Sequence, residues 1–237
     1  MGEPDIASAA ALFGDPARAA MLLALLDSRS LSAGELALAA NVSPQSASFH
    51  LSKLTEARLV ACVRRGRNQV YRLSGPAVAR ALEALAALAP RAAAKPQLRA
   101  ARSCYDHLAG VAGVLLHDSI LRLGYLNSDY SLSGTGRSWF MAGGGAEELL
   151  LSRSPFARPC VDWTERRPHL AGRLAAFLLD RFLQQGWMAR TGNTRALRVT
   201  DRGLRGFERE YGLNLRGGEH GYALHTIHDR SLQGRRL

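Results

Sequence analysis

Cysteine, aspartate and histidine recur together at two places in the second half of this chain. Arg102-Ser103-Cys104-Tyr105-Asp106 runs directly into His107-Leu108-Ala109-Gly110, and Arg158-Pro159-Cys160-Val161-Asp162 is followed a little later by His169-Leu170-Ala171-Gly172. Two thiols and two imidazoles have the ligand count of a tetrahedral Zn²⁺ site, although the close Cys-Cys spacing of a recognisable zinc motif is missing. A facing pair of thiols equally suits a soft metalloid or reversible oxidation. A third chemistry is a pocket for a small organic effector, lined by Tyr105, Tyr125, Trp163 and Trp187 and oriented by the histidines and arginines. Each residue also has a plain structural use. Cysteine serves as a small buried hydrophobe. Asp106 caps a helix opening at His107, Asp162 forms a capping box with Glu165, and each histidine fastens to a nearby carbonyl. Against this, the three reactive residue types recur while intervening positions drift (Val114/Ala176, Leu115/Phe177, His117/Leu179). Cys104, His107, Cys160, His169 and Trp163 are therefore the candidate effector site, with the identity of any metal or cofactor left open.

The recurrence extends further. Leu116, Asp118, Ile120, Leu121, Gly124 and Tyr125 match Leu178, Asp180, Phe182, Leu183, Gly186 and Trp187; Leu132, Ser133, Gly136 and Phe140 match Val199, Thr200, Gly203 and Phe207. The offset grows from 56 residues (Arg102 to Arg158) to 62 (His107 to His169) to 67 (Leu132 to Val199), so the second copy contains inserts such as Trp163–Pro168. Matches in such order indicate an internal duplication. Each copy reads as helix, hairpin, then a Ser/Thr-x-x-Gly turn into a second helix, like the back half of a winged helix. A duplicated half-domain buries equivalent positions together at a pseudo-two-fold axis, which would bring Cys104, Cys160, His107 and His169 close in space.

The first ninety residues read differently. Asp15-Pro16 separates an Ala-rich helix (6–13) from an apolar one (19–26). Ser32 caps a helix over 33–40 with Glu35 three residues on, and Ser43 caps another that has Pro44 at its first position and runs to Arg58. Two short helices joined by a tight turn spell a helix-turn-helix. The second begins with Ser43, Gln45, Ser46, Ser48 and His50, short or polar groups that can enter a major groove about 12 Å wide, while Leu51 and Leu54 face inward. Strand-like segments 59–63 and 68–73 follow, joined by Arg64-Arg65-Gly66-Arg67, a basic tip suited to phosphates or the minor groove. Cys62, alone on the first of these strands, reads as packing. The helix over 76–88 places Val78, Leu82, Leu85 and Ala89 on one stripe for a partner helix.

Asp15-Pro16-Ala17-Arg18, Ser48-Phe49-His50-Leu51 and the Arg65-Gly66-Arg67 wing together resemble the arsenic-repressor (ArsR) family of winged-helix repressors, over about residues 5–90. The resemblance implies a homodimer built on the first and last helices of that region, a palindromic double-stranded DNA operator, and repression released when an effector binds. The chain departs from the family's metal-sensing members: Ser32-Ala33-Gly34 stands where they carry cysteines, and the helix over 76–88 offers only Glu83 as a ligand. Any sensing is therefore expected beyond residue 90.

Charge and composition bound the rest. The net charge of +11 arises from 31 basic and 20 acidic residues, nearly all of the basic ones arginine, which suits phosphate. No apolar run is long enough to span a membrane, the acidic N-terminus does not resemble a secretory signal, and three scattered cysteines make no disulfide framework. The expectation is a cytoplasmic, mainly α protein with small β wings (α+β). A winged helix-turn-helix over 1–90 is followed, past the Pro90–Pro96 boundary, by a domain over 97–213 of two degenerate winged-helix-like repeats (about 102–145 and 158–211), then a tail over 214–237. The expected function is a sequence-specific DNA-binding transcriptional regulator, a repressor released by an unidentified effector, with no membrane partner. The alternatives are a C-terminal protein-interaction module without an effector, or a cysteine enzyme using Cys104 and His107. The last lacks any recognisable oxyanion feature, so the chain is expected not to be an enzyme. Gly143-Gly144-Gly145 reads as a flexible connection, and His220, His225 and His228 in the tail as a weak metal set.

Overall fold

The computed structural model describes residues 3, 5–27, 29–66, 68–90, 94–151, 155–192, 194–218 and 221–222. Contacts divide the chain into two compact units, Met1–Ala89 with Cys104–Asp106, and Pro90–Ser103 with His107–Leu237. By chain continuity and strand pairing, Cys104 belongs to a hairpin of the second unit.

In the first unit α1 (Ile6–Gly14) and α2 (Pro16–Ala24) meet at Asp15, whose side chain accepts from the Arg18 amide while Pro16 starts the next helix. Arg18 closes the corner from the other side. Its guanidinium donates to the Leu12 and Ala11 carbonyls at 3.0 and 2.7 Å, satisfying the last turn of α1. The Asp-Pro-x-Arg motif is thus a corner lock. After a 3-10 turn (Leu25–Asp27) and β1 (Leu31–Ser32) comes α3 (Ala33–Ala40), opened by a complete Ser32/Glu35 capping box and ended by left-handed Asn41. Then follow α4 (Pro44–Glu56), β2 (Val60–Arg65), β3 (Asn68–Leu73) and α5 (Pro76–Leu88), the three strands forming an antiparallel sheet in the order β1-β3-β2. Met21, Leu22, Leu25, Leu36, Leu51, Leu54, Val60 and Leu73 are among the residues filling the core beneath.

Three expectations need correcting here. The helix ends at Glu56 rather than Arg58, which takes a positive φ of 56°. Arg64 and Arg65 lie within β2, because the ladder continues to Arg65↔Asn68 before turning at Gly66 (φ 62°). The apolar stripe of α5 is split: Leu82 faces its own core and Val78 is half-buried, whereas Leu85 and Ala89 are exposed.

The second unit starts with α6 (Pro96–Ala100). Its first copy comprises hairpin β4 (Arg102–Cys104)/β5 (His107–Ala109), α7 (Val111–Arg122) and α8 (Gly134–Ala142), followed by the short α9 (Glu148–Leu151). The second copy comprises hairpin β6 (Arg158–Val161)/β7 (Pro168–Ala171), α10 (Arg173–Gln184), hairpin β8 (Met188–Arg190)/β9 (Leu197–Val199) and α11 (Asp201–Tyr211). A small hairpin, β10 (Gly217–Gly218)/β11 (Gly221–Tyr222), follows. Where the second copy has β8 and β9, the first has only a single Leu126↔Leu132 bridge. The tail histidines 220, 225 and 228 lie outside the described residues.

The two copies share their physical devices. Gly110 (φ 79°) and Gly172 (φ 95°) precede α7 and α10, and a Cβ on either would strike backbone, at 2.5 Å from the Arg99 carbonyl and 2.9 Å from the Phe156 carbonyl. Ser133 and Thr200 cap α8 and α11 by accepting from the Gly136 and Gly203 amides, and their hydroxyls donate back to the Gly124 and Gly186 carbonyls. The equivalent pairs Leu116/Leu178, Ile120/Phe182 and Phe140/Phe207 are all buried in one core. The copies also interlock: α7 lies against β7 of the other copy and α10 against β5, with β5 beside β7. That exchange places the two histidine-bearing strands together at the centre. The helix expected at His107 is instead strand β5, because Tyr105 takes φ 60° and Tyr105–Asp106 turn the chain back on itself. Gly143–Gly145 is a packed turn, where a Cβ on Gly145 would meet the Phe140 ring at 2.4 Å.

Candidate DNA interface and cysteine–histidine centre

The opening turn of α4 presents its polar residues outward. Ser43 is the N-cap, accepting from the Ser46 amide at 3.2 Å and donating its hydroxyl to Ser46 Oγ at 3.1 Å. Gln45 and Ser48 are exposed, Ser46 is half-buried, and Ser48 donates back to the Pro44 carbonyl at 3.0 Å. Ala47, Leu51 and Leu54 face the core, so the helix is held from beneath and its first turn is left to solvent. Arg64 and Arg65 extend, exposed, from β2; Arg67 lies outside the described residues. His50 is half-buried like Ser46, with Nδ1 3.7 Å from Asp15 Oδ1 at the α1–α2 corner. The Arg18 amide at that corner holds the Asp15 carboxyl below the usual range, against desolvation, with the Arg18 and His50 side chains adding in the same direction.

Sequence reading passed over Phe49. Its ring is 59% exposed, and Lys53 Nζ sits 4.8 Å from the ring centroid. Gln45, Phe49 and Lys53 follow one another at i, i+4, i+8, the spacing that could have placed Phe49 on the outer face. Cys62, expected to pack, is exposed and pairs with Tyr71 across the ladder.

The second unit assembles its reactive groups inside. One ligand atom each of Cys104, His107, Cys160 and His169 lies within 4.8 Å of all the others. Cys104 and His107 flank the two-residue turn of the first hairpin, and Cys160 is paired with His169 across the second. The imidazoles approach to 3.2 Å between their Nε2 atoms, with ring planes 29° apart. Cys104, His107 and His169 are buried and Cys160 half-buried.

Asp162 supports this group from behind. It is fully buried, with Oδ2 3.6 Å from His169 Nδ1, and it accepts from Arg102 Nη2 at 2.9 Å and from the Gly110 amide at 2.7 Å. Its other oxygen accepts from the Thr164 amide and hydroxyl and from the Glu165 amide. Burial works to raise the Asp162 carboxyl, but Arg102, the Thr164 hydroxyl, His169 and the Gly110 amide outweigh it and hold the group well below the ordinary carboxylate range. The expected Asp162/Glu165 capping box is therefore a turn within the β6–β7 loop, and the Glu165 carboxylate pairs with Arg99 at 2.9 and 3.2 Å.

The aromatic pocket is not assembled. Trp163 covers the Arg102 guanidinium at 4.7 Å, Trp187 stacks on Phe182 at 5.6 Å within the core, and Tyr125 stacks on Trp139 at 4.4 Å. Sequence reading also missed Arg102 and His117. Arg102 is among the largest fully buried side chains of the described residues. His117 is buried with Nε2 2.8 Å from the Tyr130 hydroxyl, and burial pushes its imidazole down, against the opposing pull of Asp118.

A helix-turn-helix followed by a strand-turn-strand wing defines a winged-helix DNA-binding regulator. Residues 13–63 match a family model described as a helix-turn-helix domain. Over 224 residues the chain is 40% identical to the uncharacterized HTH-type transcriptional regulator YdfF of Bacillus subtilis (strain 168), spanning 90% of this chain and 99% of the relative. The chain belongs to that family of transcriptional regulators, and a match of that reach runs through both units. Solved structures similar to it include the homodimeric winged helix-turn-helix DNA-binding domain of Mb0332 from Mycobacterium bovis (25% identity, 37% of this chain and 87% of that one, TM-score 0.31). The antimony-specific transcriptional repressor AntR is another (31% identity, 35% and 76%, TM-score 0.32).

Proposed function

We propose that this regulator is a cytoplasmic, homodimeric, sequence-specific repressor, without enzymatic activity, whose grip on DNA is released by an effector sensed in the second unit. The observations that carry the DNA reading are the outward-facing first turn of α4, with Gln45, Ser46 and Ser48, and the exposed basic pair Arg64–Arg65 on β2. Helix N-termini and arginines suit phosphate, and side chains reaching base edges supply specificity. Phe49 fits the methyl group of a thymine. Dimerisation is supported by α1, which buries no residue of its own, and by exposed Ile6, Leu85 and Leu88, apolar groups that a second copy would cover.

The test is titration of the full chain against its own promoter DNA over a range of salt. Arg64→Glu/Arg65→Glu should weaken binding to all sequences and flatten the log–log salt slope by about 0.9 per lost phosphate contact. Gln45→Ala should instead change preference among operator variants, by about 1–3 kcal/mol per lost base contact. A double arginine variant with unaltered affinity and slope would remove the wing from the interface.

A further inference from the structure

Four soft or borderline donors, one from each of Cys104, His107, Cys160 and His169, lie within 4.8 Å of one another, a set that a small inward shift of the side chains would close around one cation. With nitrogen ligands at about 2.0–2.1 Å, the N–N edge of a Zn²⁺ tetrahedron is about 3.3–3.4 Å. The His107–His169 Nε2 separation is 3.2 Å. A proton shared between the rings would account for that approach alone, but not for two sulfur atoms at the same place. Asp162, 3.6 Å from His169 Nδ1, favours the proton on that nitrogen and leaves the Nε2 lone pair facing the cluster. Charge also balances in the interior: Arg102 neutralises Asp162, and two thiolates would neutralise one divalent cation.

We propose that Cys104, His107, Cys160 and His169 form a Cys2His2 site for one Zn²⁺-class cation per chain, set at the pseudo-two-fold axis where the two copies meet. Each copy supplies one thiolate and one imidazole, which explains both the duplicated pattern and the absence of a local zinc motif. Neither copy holds a site alone. Binding replaces the protons of two thiols, so uptake of one cation releases about two protons. For its regulatory consequence the proposal rests on the effector reading above, and there it gives the effector's class: a thiolate- and imidazole-preferring divalent ion.

Two arms test it on the full chain. In the first, chelator-treated protein of unchanged circular dichroism is titrated with Co²⁺, then with Zn²⁺. One Co²⁺ per chain should give tetrahedral d–d absorption and a thiolate charge-transfer band, both lost on Zn²⁺ addition. The bands should survive Cys62→Ser and vanish in Cys104→Ser/Cys160→Ser. Folded wild-type protein that takes up neither ion overturns the site, whatever the variants do; so does a band that depends on Cys62. In the second arm, promoter affinity is compared with and without bound Zn²⁺, and a change of about 5–150-fold is expected. Binding in the first arm with unchanged affinity in the second leaves the site standing and overturns the effector reading.

Discussion

The two copies in the second unit use the same residues unequally. Arg102 of the first is fully buried and bonded to Asp162 of the second, whereas its counterpart Arg158 is half-buried and donates to the adjacent Pro159 carbonyl. The first hairpin turns in two residues, Tyr105–Asp106, while the second carries the longer loop that holds Asp162, Trp163, Thr164 and Glu165. One symmetric set, the cysteines and histidines, meets at the centre, while the two equivalent arginines differ in both burial and partner.

That contrast can be broken or sharpened by experiment. The largest effect is expected from Asp162→Ala, which strands the buried Arg102 guanidinium and should cost about 3–5 kcal/mol in denaturant unfolding. Arg158→Ala at the matching place in the other copy sets the scale for comparison. An equal loss there would mean the copies are not divided as described. Next come Gly136→Ala and Gly203→Ala, whose new Cβ atoms would lie 1.9 and 2.0 Å from the Tyr125 and Trp187 carbonyls. Each should cost about 1–3 kcal/mol or more, and similar losses in the two variants would show that the caps are still equivalent.

Asp162 also predicts a pH signature. Its folded pKa lies below the ordinary 3.8, so its contribution is complete above that value and lost as pH falls through it toward the folded value. Wild-type stability should therefore decline from about pH 5 downward more steeply than that of Asp162→Asn. Parallel curves would deny the ion pair its role. The smallest effect is that of Arg158→Ala itself, expected within about 0.5 kcal/mol.

Much of the first unit is legible in its residues because the signals are local. Ser32 with Glu35, Ser43 with Pro44, and Asp15 with Pro16 are capping devices whose partners lie three residues away. The exposure of Phe49 is readable from its i, i+4, i+8 spacing with Gln45 and Lys53, whereas the approach of His50 to Asp15 joins residues 35 positions apart and depends on how α4 packs at the α1–α2 corner. In the second unit the duplication is readable, including the Ser/Thr-x-x-Gly caps. The strands at His107 and His169 are not: runs of three or four residues carry too little periodicity to separate strand from helix start.

Order along the chain thus determined the winged helix, its polar recognition turn and the repetition of cysteine, aspartate and histidine, since each depends on neighbours within a few bonds. The exchange of α7 and α10 between hairpins, the meeting of four donors from segments about sixty residues apart, and the burial of Arg102 against Asp162 were decided by tertiary packing. The reason is physical: two hairpins and two helices, each with one apolar face, exclude water best by covering one another, and whatever lies on their inner strands is carried to the axis with them.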